Sequence, residues 1–265
     1  AKNDRAQAML FEAFARSFFA HPGALSAAEL IAMFHYYFLG NPHGIGFDAP
    51  STDHRTAIWE PFAAYLEKLG AQVRTATPVR AIPVAPPFAV TRLWLDRDVA
   101  PHRATFSAVS RERTLDSITV YSRLEEPSAE WAARTGGSVV ELHSYACSAP
   151  DAATATARMR TELAELWPET ATAGVLHQQQ RLEATAPTFP PGGAASRLTV
   201  TGEGRGVRVA GDHVDTGFLT GLMERAAASG VLAANDVLAE VGTGPEEIRG
   251  GPQRGLLAGL LPRRR

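Results

Sequence analysis

Apolar residues recur at helical spacing at the start of the chain, where Leu10, Phe11, Phe14 and Phe18 share one face of residues 6–20. His21-Pro22-Gly23 ends that helix. A second helix is predicted from Ser26, an N-cap with Glu29 three residues on as a capping box, through Phe38, before Gly40-Asn41-Pro42-His43-Gly44 breaks it. Ile58, Phe62, Leu66 and Leu69 repeat the helical period, with Pro61 in the first turn and Gly70 as the C-terminal cap. Beyond the cap, 71–75 and 79–82 read as two short strands around Thr77-Pro78.

Longer segments predict strands over Phe88–Leu95, Ser138–Cys147 and Val175–Glu183, while the polar, Arg-rich stretch between the first two supports no assignment. Asp151 is placed to cap a helix carrying Ala155, Met159, Leu163 and Leu166 on one face, and Pro168 stops it. Val207 and Val209 alternate as on a strand that ends in Gly211-Asp212. A last helix follows, with Leu222, Ala226, Gly230, Val231, Ala234 and Leu238 expected along one face and small residues from Ala226 to Gly230 permitting close approach to a sheet. Helices feeding strands imply an α/β, or mixed α+β, fold.

At 265 residues and 45% hydrophobic content the chain can bury a substantial core. A net charge of -2, from 26 Lys+Arg against 28 Asp+Glu, supplies no basic field for nucleic acid. The single cysteine, Cys147, excludes an internal disulfide and a Cys-rich metal site, so a reducing, cytoplasmic setting is expected. No apolar run approaches the roughly 18 residues of a membrane span, which leaves a soluble or peripheral protein. The eight histidines show no His-x-x-x-His pair, so no metal site is expected, and no Gly-x-Ser-x-Gly elbow supports a hydrolase.

The chemistry concentrates near the C-terminus. Gly211 keeps side-chain bulk away from the turn, Asp212 can accept hydrogen bonds from a ribityl or ribose hydroxyl, and the following helix presents free N–H groups at its positive end. On chemistry alone the same segment reads equally well as a plain turn with a packing helix. His143 on its strand reads as a hydrogen-bonded core or pocket-lining residue before a catalytic acid–base, and His213 and Asp215 as ligand neighbours or solvent-facing loop residues. Phe34-His35-Tyr36-Tyr37-Phe38 reads as core before a polyene tunnel.

Ala210-Gly211-Asp212 followed by Met223-Glu224-Arg225-Ala226 and Ser229-Gly230 resembles the closing motif of the FAD-dependent amine oxidase and phytoene desaturase superfamily. Glu67 to Ile82 is similar to the family segment whose Val-x-x-Ile strand meets the adenine of FAD, which would make Val79 the contact. Phe189-Pro190-Pro191-Gly192 looks like the loop before the last flavin turn. Leu222-Met223-Glu224-Arg225-Ala226, Phe38 to Gly44 and Ser138 to Ala146 resemble the carotenoid aromatic-ring synthases of the isorenieratene type. The resemblance implies FAD held by Val79, Gly211, Asp212, Leu222 and Met223, with oxidation of a β-ionone ring accompanied by methyl migration.

The implied architecture is an incomplete Rossmann-like FAD domain interleaved with a substrate domain on a mixed or antiparallel sheet. Residues 1–50 and 85–200 would belong to the substrate side, 51–84 and 201–242 to the FAD side, and 243–265 to a flexible tail. The N-terminal Gly-x-Gly-x-x-Gly fingerprint is absent, so the chain resembles the C-terminal two-thirds of such an enzyme, and Pro83–Pro87 stands where relatives make a longer excursion, either trimmed in this lineage or deleted in a fragment. The implied substrate is a carotenoid or related isoprenoid lying over the 88–95, 138–147 and 175–183 segments, with no catalytic residue assigned. Hydroxysqualene dehydroxylases and amine oxidase-like flavoenzymes are alternatives, as is a non-catalytic chain binding a lipid or partner. The Phe-rich first helix and Arg263-Arg264-Arg265 are the features suited to an anionic membrane surface.

Overall fold

Strict alternation of burial along Phe88–Leu95 makes this strand, β1, two-sided: Ala89, Thr91, Leu93 and Leu95 are buried while Phe88, Val90, Arg92 and Trp94 are only partly so. The computed structural model describes residues 11–40, 48–77, 82–109, 113–202, 206–218 and 220–249. These fall into two units, 11–19 with 48–186 and 20–40 with the residues from 187 onward.

The first unit is built on an antiparallel sheet of β1 (Phe88–Leu95), β2 (Phe106–Ala108), β3 (Ser117–Val120), β4 (Ser138–Ser144) and β5 (Val175–Glu183). Their spatial order is β2-β3-β4-β1-β5. The three strands expected from alternation are therefore adjacent, in a mixed α/β fold. The stretch left unassigned between Leu95 and Ser138 supplies β2, β3 and a helix over Glu126–Thr135.

One sheet face is closed by the helix Ala152–Leu166, capped by Asp151, whose carboxylate accepts from the Thr154 amide at 2.7 Å. Ala155, Met159 and Leu163 pack with Leu93, Leu95, Ile118, Val140 and Leu142 in the core. Thr91 and Thr156 satisfy one another inside it at 2.6 Å. The opposite face carries Arg92 and Trp94 of β1 in register with Glu141 and Val139 of β4 and with Gln179 and His177 of β5.

In order, the helices are α1 (Ala13–Arg16), α2 (Ala27–Phe34), α3 (Glu60–Lys68), α4 (Glu126–Thr135), α5 (Ala152–Leu166) and α6 (Leu222–Glu240). The first ends earlier than predicted: Phe19 turns with φ +54°, while Phe18 is buried. Gly70 caps α3 as expected, with φ +88° and the Ala71 amide reaching Leu66 O. The apolar stripe of α3 is not a core stripe. No residue of α3 is buried, and Trp59, Phe62, Tyr65 and Leu69 stand exposed. Residues 71–77 form no strand, correcting the first of the two short strands expected there, and 78–81, including Val79, lie outside the described residues. Among the described residues no helix is long and apolar enough to cross a membrane.

A buried ion pair fastens the α1 segment to the sheet unit. Arg16 Nε lies 3.3 Å from Asp116, whose carboxylate also accepts the Tyr145 amide at 2.6 Å. Burial, only partly offset by Arg16, pushes the Asp116 carboxyl up to about 6. Its folded pKa thus lies above the unfolded value, so this group's contribution is fully present below about pH 4 and is lost as pH rises through about 6. Urea midpoints of wild type and Asp116→Asn should diverge across that window by roughly 2–3 kcal/mol in stability, the wild type losing more on going from pH 4 to 7. Parallel pH profiles would refute the assignment.

Candidate functional site

In the second unit, Gly211 adopts φ +149° and the space a Cβ would occupy is taken by the His213 ring, 2.5 Å away at Cε1. Only glycine lets the histidine fold back over the turn. Ser229 clamps the turn to α6: its Oγ accepts the Gly211 amide at 2.8 Å and lies 3.1 Å from Gly211 O and 2.8 Å from Ala226 O, to one of which its proton goes. The expected strand before the turn reduces to one bridge, Thr201 with Arg208, and Val207 is exposed.

The buried face of α6 is Arg225, Ser229 and Ala233, not the Leu222–Ala226–Gly230 face anticipated, on which Ala234 is exposed. An arginine and a serine hold this face because both are fully used. Arg225 donates to Glu29 at 2.8 Å, to Asp212 O at 3.3 Å and to Thr220 O, and Glu29 also pairs with Arg197. Both guanidiniums lie beside the Phe189 ring, at 5.1 and 5.8 Å from its centre. Glu29 is therefore the acceptor of a buried ion cluster and not the capping-box partner of Ser26, which makes no side-chain cap.

Asp212 keeps most of its accepting capacity. Its nearest ionic neighbour is His213 Nδ1 at 4.0 Å, and burial, partly countered by His213, Arg225 and Arg197, raises its pKa. His213 Nε2 is buried without a hydrogen-bond partner. Gly221 begins α6, Leu222 follows with φ +52°, and Met223 is exposed. Tyr37 donates to Glu224 in this first turn at 3.3 Å, and burial together with Glu224 pushes the phenol up to about 12. Gly211 and Asp212 are thus held against the start of the helix that carries Leu222 and Met223.

The first unit holds a second polar cluster, on the sheet face away from α5. Glu141 Oε1 lies 2.7 Å from His143 Nε2, and His143 Nδ1 lies 2.7 Å from Tyr145 Oη. Arg92 donates from Nε to Glu141 at 2.7 Å, reaches Glu125 at 3.2 Å and stacks 4.0 Å from the Tyr121 ring centre. Burial alone would raise the Glu141 pKa, but the His143 hydrogen bond and the charges of His143 and Arg92 hold it below the usual carboxylate value. Glu141 and Arg92 line a cavity of about 550 Å³ with Phe88, Val90, Gln179 and Arg181. His143 is hydrogen-bonded, as its sequence position suggested. Glu141 and Arg92 were missed, although residues 139, 141, 143 and 145 share a face by strand alternation.

No family model matches the chain. It is 38% identical to a protein named carotenoid phi-ring synthase from Streptomyces griseus, over 312 positions covering 97% of this chain and 60% of that protein. The protein of the same name from Chlorobaculum tepidum is 35% identical over 183 positions, 68% of this chain and 28% of its own length. The chain is a homologue of the carotenoid phi-ring synthases. This homologue spans about 60% of the Streptomyces protein, and an alignment longer than its own 265 residues means that the relative carries dozens of positions with no counterpart here. Two solved structures show a looser likeness: an oxidoreductase from Methanosarcina mazei (17% identity, TM-score 0.38, 67% of this chain and 37% of that one) and the PF1083 protein from Pyrococcus furiosus (14%, 0.34, 69% and 36%).

Among the described residues of this phi-ring synthase homologue, no group of three or more His, Cys, Asp and Glu could hold a metal ion. The turn at Gly211–Asp212 is different in kind. It joins a half-buried carboxylate with spare lone pairs to the first turn of α6, the positive end of that helix.

Proposed function

We propose that this phi-ring synthase homologue is, or is part of, an FAD-dependent oxidoreductase that oxidises the ring of a carotenoid or related isoprenoid. The observation that carries the reading is the 38% identity to the Streptomyces protein across 97% of the chain. The Gly211–Asp212 turn fits one portion of FAD: Asp212 would accept hydrogen bonds from its sugar hydroxyls, and the amides opening α6 would face an electron-rich ring edge. Leu222, Met223 and, by resemblance, Val79 complete the proposed contacts. FAD, when bound, supplies the hydride acceptor, and the protein orients the substrate and excludes water. The sheet face bearing Phe88, Val90 and Trp94 is the proposed substrate side, and peripheral contact with a membrane would give access to so apolar a substrate.

Saturating FAD should raise the stability of the purified protein, by about 2.7 kcal/mol at a hundredfold excess over Kd. Asp212→Ala should weaken FAD binding roughly 10-fold or more, the worth of a hydrogen bond to a charged acceptor. A protein that neither retains FAD nor melts higher in its presence would refute the reading. That outcome would favour the alternative, a non-catalytic chain binding a lipid or partner.

A further inference from the structure

A groove of about 330 Å³ lies wholly within the first unit, on the α5 side of the sheet, between α5, the end of β1, the start of β5 and the turn at Pro168–Thr172. Leu93 and Leu95 of β1, Leu163 of α5 and Val175 of β5 line it with hydrocarbon. The volume falls within the range of about 300–1,000 Å³ typical of small-molecule sites.

Bonds outside the groove hold it open. Where β5 enters, its pairing with β1 shifts: Trp94 opposes His177 but Leu95 opposes Val175, which leaves Leu176 as a bulge. The Gly174 amide donates to the Asp96 carboxylate at 2.9 Å, and the Asp96 amide donates to Gly174 O at 2.9 Å. Arg103 grips Glu169 from two nitrogens, at 2.7 and 2.9 Å, and so anchors the Pro168–Thr172 turn. The wall facing α5 is thus fixed before anything binds, and a ligand has little to order on entry.

Polar recognition falls to one group. The hydroxyls of Thr161 and Thr170 on the lining already donate to Ala157 O at 3.1 Å and to Trp167 O at 2.8 Å. Among the described residues Arg160 is the one charged side chain on the lining, and it is exposed, with neither a hydrogen-bond nor an ion-pair partner. Its helix neighbours three and four positions away are Thr156, Ala157, Leu163 and Ala164, so no acid on α5 is spaced to neutralise it. The acids that follow it on α5 are committed elsewhere: Glu162 accepts the Thr114 and Leu115 amides, and Glu165 pairs with Arg113.

An apolar groove beside an unneutralised guanidinium is complementary to a hydrocarbon body carrying one planar anionic head. A cationic amphiphile is repelled, and a polyol gains nothing from the leucines. We propose that this groove binds the free anion of an aliphatic acid, its carboxylate on Arg160 and its chain along Leu93, Leu95 and Leu163. The site is independent of the function proposed above, because it uses neither the Gly211–Asp212 turn nor the sheet face bearing Phe88, Val90 and Trp94.

Calorimetric titration of the full chain with sodium decanoate, kept below its micellar range, tests the site. One equivalent should bind, and decanol should bind about 10-fold more weakly or worse, because it brings no charge to Arg160. Arg160→Gln should weaken decanoate binding about 10-fold or more and leave decanol unchanged. Replacing an exposed, unpaired arginine should leave the thermal unfolding curve where it was. Ala157→Phe, also at an exposed position of α5, should fill the groove and abolish binding of both ligands. In the wild type the methyl resonances of Leu93, Leu95 and Leu163 should shift as decanoate is added. Equal decanoate affinity in wild type and Arg160→Gln, uptake of many equivalents as from a detergent, or binding to anionic phospholipid vesicles without binding to decanoate would overturn the proposal.

Discussion

Glu29→Ala is expected to destabilise the second unit by about 3–5 kcal/mol, the effect of breaking a buried ion pair from one side. Glu29 is 3% exposed and Arg225 4% exposed, and Arg197 converges on the same carboxylate. Removing the carboxylate leaves two guanidiniums facing each other in a low-dielectric setting, with Arg225 still tied to the carbonyls of Asp212 and Thr220. The damage should therefore spread to the Gly211–Asp212 turn, and the FAD binding proposed for it should weaken together with stability. Urea unfolding followed by far-ultraviolet circular dichroism measures the first effect. Combining Glu29→Leu with Arg225→Met and Arg197→Met removes all three charges and should recover much of the loss. A loss below about 1 kcal/mol in Glu29→Ala would mean that water reaches the cluster and replaces the carboxylate.

Gly137→Ala is the second large expected effect. An added Cβ would stand 2.1 Å from Leu95 O and 2.9 Å from Trp131 Cζ3. The first of these atoms is backbone on the interior strand β1, where Leu95 is in register with Ser138, so relief requires the ends of β1 and β4 to part. Overpacking of this kind costs about 3 kcal/mol. The adjacent Gly136 provides the contrast: its Cβ position is empty, but φ is +72° at the cap of α4. Gly136→Ala should cost only about 1 kcal/mol, from the left-handed backbone alone. Thermal or urea unfolding of the two variants separates a steric effect from a conformational one, and equal losses would contradict the geometry at Leu95.

The sheet unit was legible where one physical signal dominated. β1 and β5 match the predicted bounds, β4 stops three residues short of them, and α5 has its Asp151 cap and its buried Ala155–Met159–Leu163 stripe. β2 and β3 escaped because they are three and four residues long and buried on both sides or on neither, so no alternation exists to read. The first turn of α2 misled for a different reason: Ser26 and Glu29 have capping-box spacing, but two arginines distant in sequence claim the carboxylate. Likewise the small residues of α6 suggested its packing face, whereas the satisfied Arg225 and Ser229 define it. At the site, the Gly-Asp turn was readable from local backbone demands. The Glu141–His143–Tyr145 line depended on which sheet face a helix covers, a tertiary fact that no single strand declares.

The strand order β2-β3-β4-β1-β5 also governs when the chain can fold. Only β2 and β3, and β3 and β4, pair as sequence neighbours. The interior strand β1 has neither of its partners next to it in sequence, and its outer partner β5 begins only at Val175. Contacts of such long separation close slowly, because loop entropy is lost before any pairing is gained. During synthesis β1 therefore waits with both edges open until Ser138–Ser144 has emerged, and with one edge open, alternating apolar side chains on a bare ladder, until Val175–Glu183 follows. The interval between the appearance of β1 and of β5 is the period in which a chaperone would matter most to this protein.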